Sequence, residues 1–202
     1  MTLEVRAMLR EVAKDLAHFG VLYGADAFRL AAAVFVVTAA AGLLFRCAFG
    51  KERGRGWLRR AAVLSLLAAY GYMAAGITLL SRTRSEAGIL NFELFSTFQD
   101  DFMSRKYICE NVLLLFPCAV LLYLLGGMFR RVWVSLPAGL CASLMIETVQ
   151  LQTRLGKFEA DDILTNMTGY AAGYLLCRTA DCVFRAVKKG IGFLFSRRIE
   201  NG

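Results

Sequence analysis

Between Ala61 and Ser81 the chain runs without a single charged side chain, and from Leu30 to Phe49 it carries one, Arg46. About 20 such residues wound as a helix match the ~30 Å hydrocarbon core of a bilayer. Lipid offers backbone N–H and C=O groups no partner, so blocks of this kind fold as spanning helices that satisfy their own hydrogen bonds. Of the 202 residues, 57% are hydrophobic and 20% charged, against ~45–50% and ~25% in a soluble domain. Apolar residues gathered in blocks exclude a soluble α/β enzyme, a secreted disulfide scaffold and a disordered chain. The expected fold class is all-α, a polytopic integral membrane helical bundle.

Five spans follow from the hydropathy pattern, at about 30–49, 61–81, 107–129, 132–152 and 162–184. Ahead of them, Val5, Met8, Leu9, Val12, Leu16, Phe19 and Tyr23 recur at helical spacing, with charges of both signs on the other face. This pattern predicts an N-terminal amphipathic helix over 3–23, either lying in the membrane interface or packed on the bundle. It is too acidic, and its apolar run arrives too late, for a cleaved signal peptide. The domain reading is 1–25 for this helix, 26–60 for the first span and a basic loop, 61–185 for a four-helix core, and 186–202 for a basic tail.

Charge sets the orientation. Fourteen of the 24 basic residues, from Arg46 through the loop at 51–60, Arg130, Arg131, Arg178 and the tail, fall on one side with 3 of the 16 acids. By the positive-inside rule that side is cytoplasmic, with the amino terminus outside and the carboxyl terminus inside. The net charge of +8 therefore reads as juxtamembrane cations near anionic lipid, not as a nucleic-acid surface. The partner expected from charge and hydropathy is membrane lipid.

The remaining chemistry is narrow. Cys47, Cys109, Cys118, Cys141, Cys177 and Cys182 sit in or beside apolar segments with no CxxC pair, and read as buried thiols rather than staples. A single histidine, His18, leaves no His-based zinc site or catalytic triad. Ionisable groups inside spans cost ~2.5–3.5 kcal/mol to insert, yet several collect at one depth. Glu110 and Asn111 open the third span, Glu147 and Gln150 close the fourth, and Asp161, Asp162 and Asn166 open the fifth. All lie within roughly 10 Å of the outer boundary.

Helical spacing puts Ser143, Glu147, Gln150 and Arg154 on one face of the fourth span, and Asp162, Asn166, Gly169 and Gly173 on one face of the fifth. Gly169 and Gly173 form a small-xxx-small pair for close helix packing. With a short loop between the two spans, their polar faces would meet in a pocket opening outward. Plainer readings stand beside this one. Asp161 and Asp162 suit the capping of a helix N-terminus, Glu147 and Arg154 suit an ion pair, and the asparagines suit interhelical glue. The outer loop from Arg82 to Lys106 adds Arg82, Arg84, Asn91 and Glu93, interleaved with Phe92, Phe95, Phe98 and Phe102. It would fold over the pocket as a lid or lie in the interface as an aromatic belt.

The segments LNFELF (90–95), ENVLLLFP (110–117), SLMIETVQ (143–150) and FEADDILTNMTGYAAGY (158–174) resemble, in order, the motifs of VanZ-like membrane proteins. The resemblance covers about residues 78–177 and includes Glu147-x-x-Gln150 and Asp161-Asp162-x3-Asn166. Leu94 departs from the family's proline, and Glu159 and Ala160 replace its usual Asp-Ile. The resemblance implies the plasma membrane of a bacterium and low-level resistance to the glycopeptide teicoplanin. It also implies, as partners, teicoplanin itself or a lipid-linked cell-wall precursor.

Two expectations of mechanism result. In the first, Glu110, Asn111, Glu147, Gln150, Arg154, Asp161, Asp162, Asn166, Arg82, Arg84 and Asn91 form a binding pocket for drug, precursor or lipid, with no cofactor. In the second, Glu147, Asp161 and Asp162 hold Mg²⁺ or Ca²⁺, and the protein hydrolyses or transfers a polyprenyl-phosphate or lipid headgroup.

Overall fold

The computed structural model describes residues 3–49, 56–80, 90–95, 97–98 and 101–200, the side chains of 49, 80 and 191–200 excepted. Arg82 and Arg84, the loop cations at 51–55 and the side chains of Phe193, Leu194, Phe195, Arg197 and Arg198 lie outside the described residues.

Five helices account for almost all of the described chain: α1 (Leu3–Phe49), α2 (Trp57–Ala75, continued by a π-helical turn Gly76–Leu80), α3 (Phe102–Leu125), α4 (Val132–Thr153) and α5 (Ala160–Glu200). Two-residue strands β1 (Leu90–Asn91) and β2 (Phe158–Glu159) pair in parallel, Leu90 against Phe158 and Asn91 against Glu159. α3 opens on Asp101, whose carboxylate accepts the N–H groups of Met103 and Ser104 at 3.1 and 3.3 Å. Hydrogen bonding from Ser104, side chain foremost, holds that carboxyl below its usual range.

The amphipathic segment and the first span are not separate elements. No proline interrupts 24–29, Gly24 is accommodated within the helix, and α1 runs unbroken for 47 residues, about 70 Å at 1.5 Å per residue. It lies antiparallel to α2 with matched register. Gly42 abuts the Trp57 ring and Gly76 abuts the Tyr23 ring, where added Cβ atoms would come within 2.7 and 2.8 Å of ring carbons. Beyond the end of α2, the amino-terminal part of α1 meets the start of α3 through Lys106–Asp15 and Arg105–Glu4 ion pairs.

Four helical stretches are long and apolar enough to cross a membrane: 3–48, 57–79, 102–125 and 132–153. α5 covers the expected fifth span with a less apolar composition than these four. The cause is the face it turns inward. Asn166, Tyr170 and Tyr174 are buried there, beside Gly169 and Gly173, in place of aliphatic side chains. α5 nevertheless runs along α3 from the Asn111–Asp162 contact to the Tyr123–Asp181 contact.

The interior is the reverse of a soluble protein's. The buried residues of α4 are Ser135, Gly139, Ser143, Glu147 and Gln150, while Trp133 and Met145 point outward at 79% and 64% exposure. Lipid is as apolar as leucine, so small and polar residues, not aliphatics, hold membrane helices together. Tyr170 lies on Gly139, donor or acceptor to the Ser135 hydroxyl at 3.0 Å, and the Tyr174 hydroxyl donates to the Arg130 carbonyl at 2.8 Å. Leu115, Ala119 and Tyr123 complete the core cluster.

Gly169 and Gly173 make the closest backbone approach, against α3. A Cβ on Gly169 would sit 1.8 Å from the Val112 carbonyl oxygen, and one on Gly173 2.6 Å from that of Phe116. The sequence reading turned this ridge toward the fourth span, whereas it packs on the third. The ridge fits where a side-chain-free surface meets bare carbonyls, while toward α4 the same helix presents the Tyr170 ring, laid on Gly139. Gly169→Ala is expected to destabilise the purified protein by at least ~1–3 kcal/mol, since backbone cannot move aside as a side chain would. Gly71→Ala, which meets nothing within 4 Å, should be neutral or gain up to ~1 kcal/mol. Thermal unfolding of both variants in the same detergent tests the pair, and equal Tm values would refute the packing.

Candidate functional site

The α3–α5 ridge runs parallel and the α4–α5 contact antiparallel, so the end of α4 and the starts of α3 and α5 come together. Asn111 Nδ2 donates to Asp162 Oδ1 at 2.7 Å, joining α3 to α5. Asn166 Nδ2 donates to Ser143 Oγ at 3.2 Å, joining α5 to α4. Gln150 Nε2 donates to the Thr78 carbonyl at 3.2 Å, bringing in the end of α2. The Glu159 N–H, on β2, donates to Glu147 Oε2 at 3.3 Å. Glu147, Gln150, Asp161 and Asn166 are each no more than 2% exposed.

Asp161 reaches across to the 90–98 loop. Its two carboxylate oxygens accept the N–H groups of Phe95 at 2.6 Å and Thr97 at 2.8 Å. A charged acceptor makes such bonds worth ~1.5–3 kcal/mol each, and they fix a segment with Phe95 at a φ of 67°. The Asn91 side chain organises the same segment by accepting the Glu93 N–H at 3.0 Å, and the β1–β2 pairing ties its start to Glu159. Phe92 meets Phe158 at a tilt and Phe95 meets Phe98 edge-on, with ring centroids 5.7 and 5.5 Å apart, yet Phe92, Leu94 and Phe95 remain at least 60% exposed. The loop therefore closes over the buried cluster and shows an apolar outer surface.

The structure does not bring every expected residue into this group. Glu110 is half-exposed, 3.7 Å from Lys106 and in contact with Asp15 of α1, so it belongs to the α1–α3 junction. Arg154 leaves the helix in a left-handed turn, φ 58°. It is exposed beside a shallow cavity of about 370 Å³ lined by Gln152, Thr153, Arg154 and Leu155. The i, i+11 spacing that aligned it with Ser143 fails because α4 ends at Thr153. Arg82 and Arg84 lie outside the described residues.

The set Glu147, Asp161 and Asp162 suggested for Mg²⁺ or Ca²⁺ is also divided. Asp161 addresses the loop N–H groups, Asp162 the Asn111 amide and Glu147 the β2 backbone. Among the described residues, no three His, Cys, Asp or Glu side chains are grouped to hold a metal ion. Neighbouring aspartates on a helix point about 100° apart, which sequence adjacency conceals.

Thr78, Thr165 and Ser143 are buried members of the cluster, of which only Ser143 stood out in the sequence. Thr78 was signalled only as a hydroxyl near the end of an apolar run, and its contribution is a backbone carbonyl. Asp161→Asn keeps the shape and removes the charge. It is expected to raise amide hydrogen exchange at Phe95 and Thr97 by about tenfold or more, ~1.4 kcal/mol being a factor of ten. Unchanged protection at both amides would refute the anchoring role.

Neither a curated protein nor a solved structure shows a significant match to this chain. The profile of the VanZ/LLP1 family matches residues 62–184, more than half of the sequence and the whole of the cluster just described. The chain is thus a membrane protein that belongs to the VanZ/LLP1 family.

Proposed function

We propose that this protein gives low-level resistance to glycopeptides such as teicoplanin by binding the drug, its lipid-linked cell-wall target or an associated lipid at the acid/amide cluster. The observation that carries this reading is a pair of buried amide oxygens. Gln150 Oε1 and Asn166 Oδ1 are inaccessible and accept no hydrogen bond from any described residue. The orientation of Gln150 follows from chemistry, because the Thr78 carbonyl it meets is only an acceptor. A buried carbonyl left without a donor costs ~1–3 kcal/mol. Peptide N–H groups and sugar hydroxyls, abundant on a glycopeptide and on a cell-wall precursor, are the donors such oxygens suit.

The loop at 90–98 is the entrance in this reading. Lifting it from Asp161 uncovers the cluster, and its exposed Phe92, Leu94 and Phe95 meet an acyl chain or the membrane interface. The site works without a cofactor, in contact with membrane lipid and with no nucleic acid. The cluster faces the outside of the bacterial plasma membrane, with the amino terminus outside and the carboxyl terminus in the cytoplasm. The division of Glu147, Asp161 and Asp162 among separate partners is what favours binding over a metal-dependent hydrolase or transferase.

Susceptibility to teicoplanin and vancomycin, compared with and without the gene, is the first test. Expression should protect, and Glu147→Gln, Asp162→Asn and Asn166→Ala proteins present at normal levels should return susceptibility to that of the strain lacking the gene. Each lost hydrogen bond to ligand weakens binding about tenfold for ~1.4 kcal/mol. Full protection by all three variants would end the reading. Reporter fusions after residue 156 should read outside and after residue 190 inside, and the reverse would remove drug contact.

A further inference from the structure

The opposite end of the bundle carries a second constellation. Among the described residues it gathers Arg46, Arg59, Arg60, Arg130, Arg131, Arg178, Arg185, Lys188 and Lys189 around one acid, Asp181. Asp181 is already engaged, by Arg130 Nη1 at 3.2 Å, Arg185 Nη2 at 3.4 Å and the Tyr123 hydroxyl at 2.9 Å. The chain leaves α3 there through Gly126 and Gly127, at φ of 82° and 61°.

Gly126 is buried, and the point where its Cβ would stand has two heavy atoms within 4 Å: Arg59 Nη2 at 3.7 Å and Arg130 Nε at 3.9 Å. Two guanidinium groups from separate elements thus flank one side-chain-free stretch of backbone. Arg59 makes no ion pair or hydrogen bond with any described residue, and Asp181 meets Arg130 through a different nitrogen. Like charges converging on one point repel unless an anion lies between them. Guanidinium forks are matched to the tetrahedral oxygens of phosphate, and a glycine leaves room for those oxygens where any other residue would fill it.

From this convergence we infer a phosphate-binding site over Gly126, clamped by Arg59 and Arg130. The same oxyanion is presented by an anionic lipid headgroup or by free phosphate. Position favours the lipid as source. Trp57, with Arg46 6.0 Å from its ring, and the exposed Trp133 stand at this end, the placement of side chains at a bilayer surface, and basic pockets between spans there take anionic headgroups.

These are the chain's two tryptophans, so quenching by brominated lipid reads the site directly. The full chain is reconstituted in phosphatidylcholine vesicles containing a minor fraction of brominated phosphatidylglycerol, and in a matched set containing brominated phosphatidylcholine. Phosphatidylglycerol should be preferred, and Arg59→Gln should reduce that preference by roughly tenfold, the effect of losing one charge-assisted hydrogen bond to the headgroup. Arg60→Gln removes the same charge one residue away and should leave it intact. A second arm titrates inorganic phosphate into detergent-solubilised protein and follows tryptophan emission. A saturable response abolished by Arg59→Gln, without lipid preference, supports the site with free phosphate as its source. Equal effects of Arg59→Gln and Arg60→Gln on lipid preference, together with no phosphate response, would overturn the inference. Among the described residues the Arg59 side chain has no hydrogen-bond or ion-pair partner, so its loss leaves the Asp181 network in place.

Discussion

Everything at the acid/amide end depends on the contact between a glycine ridge and bare backbone. Gly169 and Gly173 let α5 lie against the carbonyls of Val112 and Phe116 at a separation no side chain permits. Because α3 and α5 run parallel through this contact, their amino termini arrive together, and Asn111 meets Asp162. The antiparallel α4 then delivers its carboxyl end to the same place, with Ser143 and Glu147 against α5 and β2. A methyl group on the ridge would push α5 outward and separate the partners of the buried carboxylates.

Burying carboxylates and amides beneath a membrane surface is costly, and the structure shows how the cost is offset. Backbone N–H groups do most of it. Two come from the 90–98 loop to Asp161 and one from β2 to Glu147. A loop that solvates a buried charge is held by that charge in return, so Asp161, Phe95 and Thr97 act as one structural unit. Among the described residues this compensation is incomplete at two amide oxygens, Gln150 Oε1 and Asn166 Oδ1. That incompleteness directs attention to the amide oxygens rather than to the carboxylates, each of which accepts a hydrogen bond.

The two ends of the bundle have opposite chemistry. One buries acids and amides under a capped loop. Among the described residues, the other spreads cations around a single shared aspartate and three glycines with positive φ, Gly56, Gly126 and Gly127. Between them α4 presents serine and glycine to α5, with Tyr170 laid over Gly139. Small and hydroxyl-bearing residues let the helices approach closely without placing a charge at mid-membrane.

Much of this was legible in the linear chain. Uncharged blocks near 20 residues allow only spanning helices, and the depth of Glu147, Gln150, Asp161, Asp162 and Asn166 follows from counting residues inward. Their direction did not follow, because it depends on which neighbour each helix face meets. Glycine spacing announced a close contact but is symmetric with respect to partner, so α3 could not be distinguished from α4. Arg154 and Glu110 shared the depth of the cluster yet point elsewhere, one past a helix end and the other toward Asp15. The anchoring of Phe95 and Thr97 by Asp161 joins residues more than 60 positions apart, and the convergence of Arg59 and Arg130 at Gly126 likewise exists only once α2 and α3 are packed. Local sequence determined which segments are helical and how deep each polar group lies. Long-range packing alone decided which of those groups face one another, because hydrogen bonds and charge repulsion act through space and not along the chain.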